Sequence, residues 1–338
     1  MTANELESTA KALVADGRGI LAADESVATI SKRFANLGIE STPETRRAYR
    51  QTLLTTPGIS EFISGAILYD ETIRQSTKEG KPFPQALEES GVIPGIKVDT
   101  GAKDLAKTQG EKVTEGLDGL KERVAEYYQL GARFAKWRAV ITIGDNIPSY
   151  ACLNANANAL ARYAAICQEG GLVPIVEPEV LMDGSHSFER CFDVTSKTLS
   201  IVFEQLRAQN VTLEHMLLKP SMIVAGKDAP RQASVSEVAS ATVTCYLRNV
   251  PAAVPGIVLL SGGQADQLAT EHLNAMNTGA NLPWKLTYSY GRALQDSALS
   301  TWAGNDANVE KAQKALYLRA KCNSAAAKGV YTKEMENS

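Results

Sequence analysis

Short apolar runs that end in charged or polar residues recur along the chain, at 19–24, 65–69, 95–99, 134–138, 173–179, 216–219, 257–261 and 286–290. Each has the length of a buried strand, and segments with helical spacing lie between them. In 116–130, Leu117, Leu120, Val124, Tyr127 and Tyr128 share one stripe, while 187–209 is too long and too periodic for a loop. Eight alternating units predict an α/β protein closed into a parallel (β/α)8 TIM barrel. An open doubly wound sheet would carry a glycine-rich fingerprint after its first strand, whereas that turn reads AADES. With no repeat and no linker, the expectation is one domain over 1–338. Its last part, 308–338, reads as a C-terminal helix and mobile tail outside the barrel core.

Barrel enzymes place their sites at the C-terminal ends of the strands. Charged residues collect there in this chain: Asp24, Lys97 with Asp99, Lys136 with Arg138, Glu177 with Glu179, and Lys219. Members of each pair are two apart and so point to one face of a strand. A charge facing a barrel interior is expensive unless it is paired or functional. Any one of them could be a structural ion pair or a strand-end marker facing the helices. Taken together they point to an anionic substrate handled by acid–base groups.

Lys219 closes an apolar run and precedes Pro220. A free lysine, with a pKa of ~10.4, is protonated at neutral pH and is no nucleophile. Desolvation by the apolar strand, or a cation such as Lys136, would favour its neutral amine. On its own, such a lysine reads more simply as a buried stem with a solvated head. Two glycine-bearing turns shift that balance. Ser261-Gly262-Gly263 follows the seventh strand and Tyr290-Gly291-Arg292 the eighth. Barrel enzymes frequently hold phosphate at these positions, and Arg292 would add a charge-assisted contact.

The net charge of −3 argues against nucleic-acid binding, and no apolar stretch is long enough to span a bilayer, so no membrane is expected. The first residues lack the basic start and apolar run of a signal peptide. Five cysteines without a CxxC pair fit a reduced, cytoplasmic setting. His186, His215 and His272 have no metal-ligand spacing and are expected in loops or on helix surfaces, so neither a metal nor a cofactor is expected. A GxSxG elbow is absent, which removes the usual serine-hydrolase reading.

The motifs GILAADES (19–26), GIKVD (95–99), FAKWR (134–138), PIVEPE (174–179), LLKP (217–220), LSGGQ (260–264) and SYGRAL (289–294) resemble those of class I, Schiff-base fructose-1,6-bisphosphate aldolases. The likeness runs from about residue 10 to 300. It implies reversible cleavage of fructose 1,6-bisphosphate to dihydroxyacetone phosphate and glyceraldehyde 3-phosphate, in glycolysis and gluconeogenesis, without a metal. Lys219 would be the Schiff-base lysine and Glu177 the acid–base group at the carbinolamine. Lys136 would lower the pKa of Lys219 and assist proton transfer, with Glu179 as a second acidic partner. Asp24 would take the C4-hydroxyl proton. The resemblance sets Ser261, Gly262, Gly263, Ser289, Gly291 and Arg292 around one phosphate. It sets Ser26, Thr29, Lys32, Arg33, Lys97 and Arg138 around the other phosphate and the sugar chain. It also implies a homotetramer. Departures include Thr100, where animal members have a second lysine, and Tyr331, which is not terminal as the tyrosine of many eukaryotic members is. Sedoheptulose 1,7-bisphosphate, another phosphorylated ketose, or a secondary binding role on the same scaffold are the alternatives.

Overall fold

A computed structural model describes residues 2–337; Met1 and Ser338, the outermost residues of the expected domain and tail, lie outside the described residues. The strands are β1 (Gly19–Ala23), β2 (Ile63–Leu68), β3 (Ile93–Lys97), β4 (Gly101–Asp104), β5 (Lys112–Glu115), β6 (Phe134–Ile141), β7 (Val173–Val180), β8 (Leu217–Leu218), β9 (Gly256–Leu259) and β10 (Lys285–Tyr290). All except β4 and β5 close a parallel barrel in the order β1-β10-β9-β8-β7-β6-β3-β2. The expected TIM barrel is therefore the observed one. β4 and β5 form a separate antiparallel hairpin after β3, which the apolar pattern did not predict because Ala102 and Val113 are the apolar side chains of its two short strands.

Alternation along the strands explains where the chemistry sits. One apolar cluster joins Ile20, Ala22, Phe134, Val173, Ile175, Leu217 and Val258, the inward positions low in the barrel. Helix Ala3–Leu13 closes that end, packing Leu6, Ala10 and Leu13 into the same cluster. Continuing each strand by steps of two reaches Asp24, Lys136, Arg138, Glu177, Glu179 and Lys219. The interior is thus apolar at its base and charged at its C-terminal mouth. A larger cluster lies between barrel and helices and holds Trp137, Tyr163, Tyr246 and Trp302. Lys219 lies just beyond β8, yet its N–H still bonds to the Val176 carbonyl at 2.8 Å, so the ladder holds its backbone in place.

Two expected helices behave differently. Phe188–Ala208 starts where expected, with the Ser187 hydroxyl accepting from Arg190 N. The stripe of 116–130 becomes helical only over Leu120–Gln129, because Gly116 and Gly119 are left-handed at φ 128° and 63°. The C-terminal segment opens with the expected helix. Helix Val309–Ala327 buries Ala312, Leu316, Ala320 and Cys322 in the outer cluster. Residues beyond it fold back onto the helix layer: Tyr331 is buried, its N–H donates to Asn274 Oδ1 (2.9 Å), and its hydroxyl donates to Glu336 Oε1 (2.7 Å). Glu336 in turn pairs with the buried Arg319. The tail is docked here, through polar anchors that hydrophobic periodicity does not register.

Candidate active site

A cleft of about 920 Å³ opens at the C-terminal mouth, and all the site residues expected from sequence line it. At its base Lys136 Nζ stands 2.9 Å from Asp24 Oδ2 and 3.0 Å from Glu177 Oε2. The first contact is a hydrogen bond; the second lacks hydrogen-bond alignment, so that Glu177 oxygen has no hydrogen-bond partner among the described residues. Lys219 Nζ lies 3.4 Å from the other oxygen, Glu177 Oε1. All four side chains are buried.

The two amines are driven in opposite directions. Burial disfavours both ammonium forms. For Lys136 the charges of Asp24 and Glu177 outweigh burial and raise its pKa, so it stays a cation. For Lys219 burial wins, opposed by Glu177 and aided by the Lys136 charge, and its pKa is lowered. Sequence reasoning anticipated both causes; burial is the larger. Burial also opposes the Asp24 carboxylate, but Lys136 and Lys219 outweigh it and hold this group down at about 2. The site therefore contains a fixed anion, a fixed cation and an amine biased toward its nucleophilic form.

Around this centre the cleft has two cationic ends. At one, Gly262 and Gly263 are left-handed at φ 61° and 94°, and a Cβ on Gly263 would meet Arg292 Nη2 at 2.9 Å. The Ser289 hydroxyl beside them is buried with no hydrogen-bond partner among the described residues, as a group reserved for a ligand would be. Gly291 caps helix Arg292–Trp302, whose N-terminus adds a favourable field for an anion. At the other end, Lys97 pairs with Asp99, Arg138 with Glu179, and Arg33 with both Glu25 and Asp296. Ser26 and Thr29 line the cleft while capping helix Val27–Ala35, the Ser26 hydroxyl accepting from Thr29 N at 3.4 Å. Lys32 lines the same wall.

Sequence reasoning missed the counter-ions of Arg33. Glu25 pairs with Arg33 and with the buried Arg50, and accepts from Gln295 Nε2 at 2.9 Å. Its place next to Asp24 at a strand end was the available signal. Asp296, one turn into the helix that follows Gly291, carried no comparable mark. His272, expected on a surface, is buried within helix Asp266–Asn277. Among the described residues no group of His, Cys, Asp and Glu is arranged to hold a metal ion, and no helix is long and apolar enough to cross a membrane.

Comparison with known proteins gives the class first. The family described as "Fructose-bisphosphate aldolase class-I" matches residues 5–338, and the chain belongs to that family of carbon–carbon lyases. Particular relatives follow. The chain is 59% identical over 330 residues to a probable fructose-bisphosphate aldolase class 1 of Xanthomonas axonopodis pv. citri, covering 97% of this chain and 99% of the relative. It is 53% identical to the fructose-bisphosphate aldolase of Dictyostelium discoideum, covering 98% and 94% of the two chains. A co-crystal structure of the Plasmodium falciparum aldolase with TRAP and a small-molecule inhibitor superposes with a TM-score of 0.96 at 50% identity, over 97% of this chain and 95% of that one.

Proposed function

We propose that this chain reversibly cleaves fructose 1,6-bisphosphate to dihydroxyacetone phosphate and glyceraldehyde 3-phosphate through a Schiff base on Lys219. The observation that carries the residue assignment is the opposed setting of the two amines, with Lys219 pushed toward the neutral form beside a retained Lys136 cation. The Lys219 amine adds to the C2 carbonyl, and the Glu177 carboxylate, 3.4 Å away, relays to the oxygen the proton that nitrogen sheds and one more taken from solvent, so that it leaves as water. The Asp24 carboxylate then takes the C4-hydroxyl proton. The C3–C4 electron pair moves into the iminium, giving an enamine and freeing glyceraldehyde 3-phosphate. C3 takes up a proton as Asp24 gives up its own, and hydrolysis of the iminium releases dihydroxyacetone phosphate, returns one proton to solvent and restores the amine. Lys136 keeps Asp24 ionised, and Glu179 aligns Arg138 through their ion pair. Ser261, Gly262, Gly263, Ser289, Gly291 and Arg292 hold one phosphate; Ser26, Thr29, Lys32, Arg33, Lys97 and Arg138 take the other and the sugar chain.

Borohydride added during turnover should reduce the iminium and leave a stable adduct that mass spectrometry maps to Lys219. Activity should survive EDTA, since the reading needs no metal. An adduct elsewhere, or loss of activity on chelation, overturns it. Cytoplasmic location and homotetrameric assembly belong to the same proposal. Relatives at 54% and 52% identity bear cytosolic in their names, although a further one is chloroplastic. Cell fractionation and light scattering test these two points.

A further inference from the structure

We infer that His272 is a positioning residue for the phosphate turn at 261–264, acting through the side chain of Gln264. Within that turn Gln264 N donates to the Ser261 carbonyl at 3.0 Å, closing a tight loop over left-handed Gly262 and Gly263. The Gln264 side chain folds back to the same carbonyl, its Nε2 donating to Ser261 O at 3.0 Å and lying 3.5 Å from Met222 Sδ. Two donors of one residue thus hold one carbonyl. Such a doubled contact persists only if the amide cannot rotate.

His272 prevents rotation. Its Nδ1 lies 2.6 Å from Gln264 Oε1. With Nε2 of Gln264 on the carbonyl, Oε1 can only accept, so His272 must donate from Nδ1. The reverse amide orientation would press Oε1 against the Ser261 oxygen. The imidazole is therefore a neutral Nδ1–H tautomer, which agrees with the absence of a partner for its Nε2 among the described residues and with a burial that depresses its pKa to about 4. A buried histidine with one nitrogen unsatisfied is costly. A sequence that needed only apolar filling at this face of helix Asp266–Asn277 would place leucine there. The retained donor fits the task of fixing Gln264, and through it the loop that faces Arg292 and Ser289. His272 touches no substrate and is not a catalytic residue.

This inference rests on the phosphate-binding reading of the 261–264 turn, and the test separates the two. Inorganic phosphate binding is measured by calorimetry, this end of the cleft being defined as the part of the signal lost in Arg292→Ala. KM and kcat for fructose 1,6-bisphosphate are measured in parallel. His272→Leu should weaken phosphate and raise KM on the order of tenfold, the effect of one lost buried hydrogen bond, with kcat at saturation changed by less than about twofold. His272→Asn places an amide donor where Nδ1 was and should restore both. Gln264→Leu should reproduce the Leu phenotype and, combined with it, add nothing. It also serves as the test if His272→Leu fails to fold. Unchanged phosphate affinity in folded His272→Leu or Gln264→Leu, a lower thermal midpoint alone, or no rescue by Asn overturns the inference. Wild-type protein that binds phosphate at this end but does not cleave the sugar overturns the functional reading and leaves this one standing.

Discussion

Replacing Lys136 with methionine separates the two tasks assigned to its charge. Methionine keeps the apolar stem and removes the ammonium that contacts Asp24 and Glu177. Two cations that touch one carboxylate lie on the order of 6 Å apart, and at an effective dielectric of ~20 their repulsion is about 3 kcal/mol. Without that repulsion, and with two carboxylates now free to attract it, the Lys219 ammonium gains stability. The neutral amine at pH 7 should then fall on the order of 100-fold. The assay is the rate of borohydride trapping with dihydroxyacetone phosphate, followed from pH 6 to 10. Lys136→Met should trap slowly near neutrality and recover at alkaline pH, as deprotonation is restored by hydroxide instead of by a neighbour. Cleavage should not recover equally, because the ammonium that hydrogen-bonds Asp24 and assists proton transfer is absent at every pH. A variant trapped at pH 7 as fast as wild type would refute the electrostatic account, since burial alone would then suffice to neutralise Lys219. Stability should fall as well, by roughly 3–5 kcal/mol, as expected when one member of a buried ion cluster is removed.

Three other outcomes follow from the same geometry. The Asp24 pKa is depressed from 3.8 to about 2, so its contribution of about 2 kcal/mol is complete above 3.8 and is lost as pH falls through 2. Urea unfolding between pH 5 and 2 should show that loss in wild type and not in Asp24→Asn; equal slopes would exclude it. Gly263→Ala puts a Cβ 2.9 Å from Arg292 Nη2 on a backbone at φ 94°. It should cost about 1–2 kcal/mol and raise KM about tenfold as the displaced guanidinium loses its charge-assisted contact, which steady-state kinetics and thermal melts can read separately. Among the described residues, Glu336→Ala leaves the buried Arg319 facing Thr270 and a 3.6 Å contact to Asp266. A loss of about 3 kcal/mol and faster hydrogen exchange over 329–337 should result, whereas unchanged exchange would mean the ion pair does not hold the tail.

How far the site could be read in advance depended on whether its determinants were local. Strand ends at Asp24, Lys136, Glu177 and Lys219 follow from period-two alternation, because apolar inward positions give way to charge at a definite step. Partners distant in sequence leave no such trace. Arg33 and Asp296 are 263 residues apart and meet because helices Val27–Ala35 and Arg292–Trp302 flank adjacent strands, β1 and β10. The barrel had to be closed before that pair could be anticipated. Hairpin β4–β5 escaped for the opposite reason: short and polar, it buries little and has no alternating pattern to find. His272 was misplaced because histidine at one helical position says nothing of burial until the partner, Gln264, is seen.

Charge balance connects this architecture to the proposed cycle. With Asp24 and Glu177 counted as carboxylates, Lys136 as ammonium and Lys219 as free amine, the buried centre carries one net negative charge. A buried excess charge is costly, and the side chains at the base of the barrel are apolar. Protonating Lys219 would cancel the charge, but that is the form that cannot attack a carbonyl. Iminium formation places a positive charge at almost the same point while keeping the nitrogen bonded to carbon. With Lys219 held as the free amine, the centre becomes neutral when the covalent intermediate forms, so the environment that keeps Lys219 reactive also favours what it becomes. Preorganised charge acts in this way when it matches an intermediate better than a ground state. On this argument Glu177→Gln should remove the preference: the amine would still be neutral, but the iminium would lose its neutralising partner. Equilibrium trapping with dihydroxyacetone phosphate should then show less iminium at saturation. A Glu177→Gln variant that forms it to the wild-type extent would confine Glu177 to proton transfer.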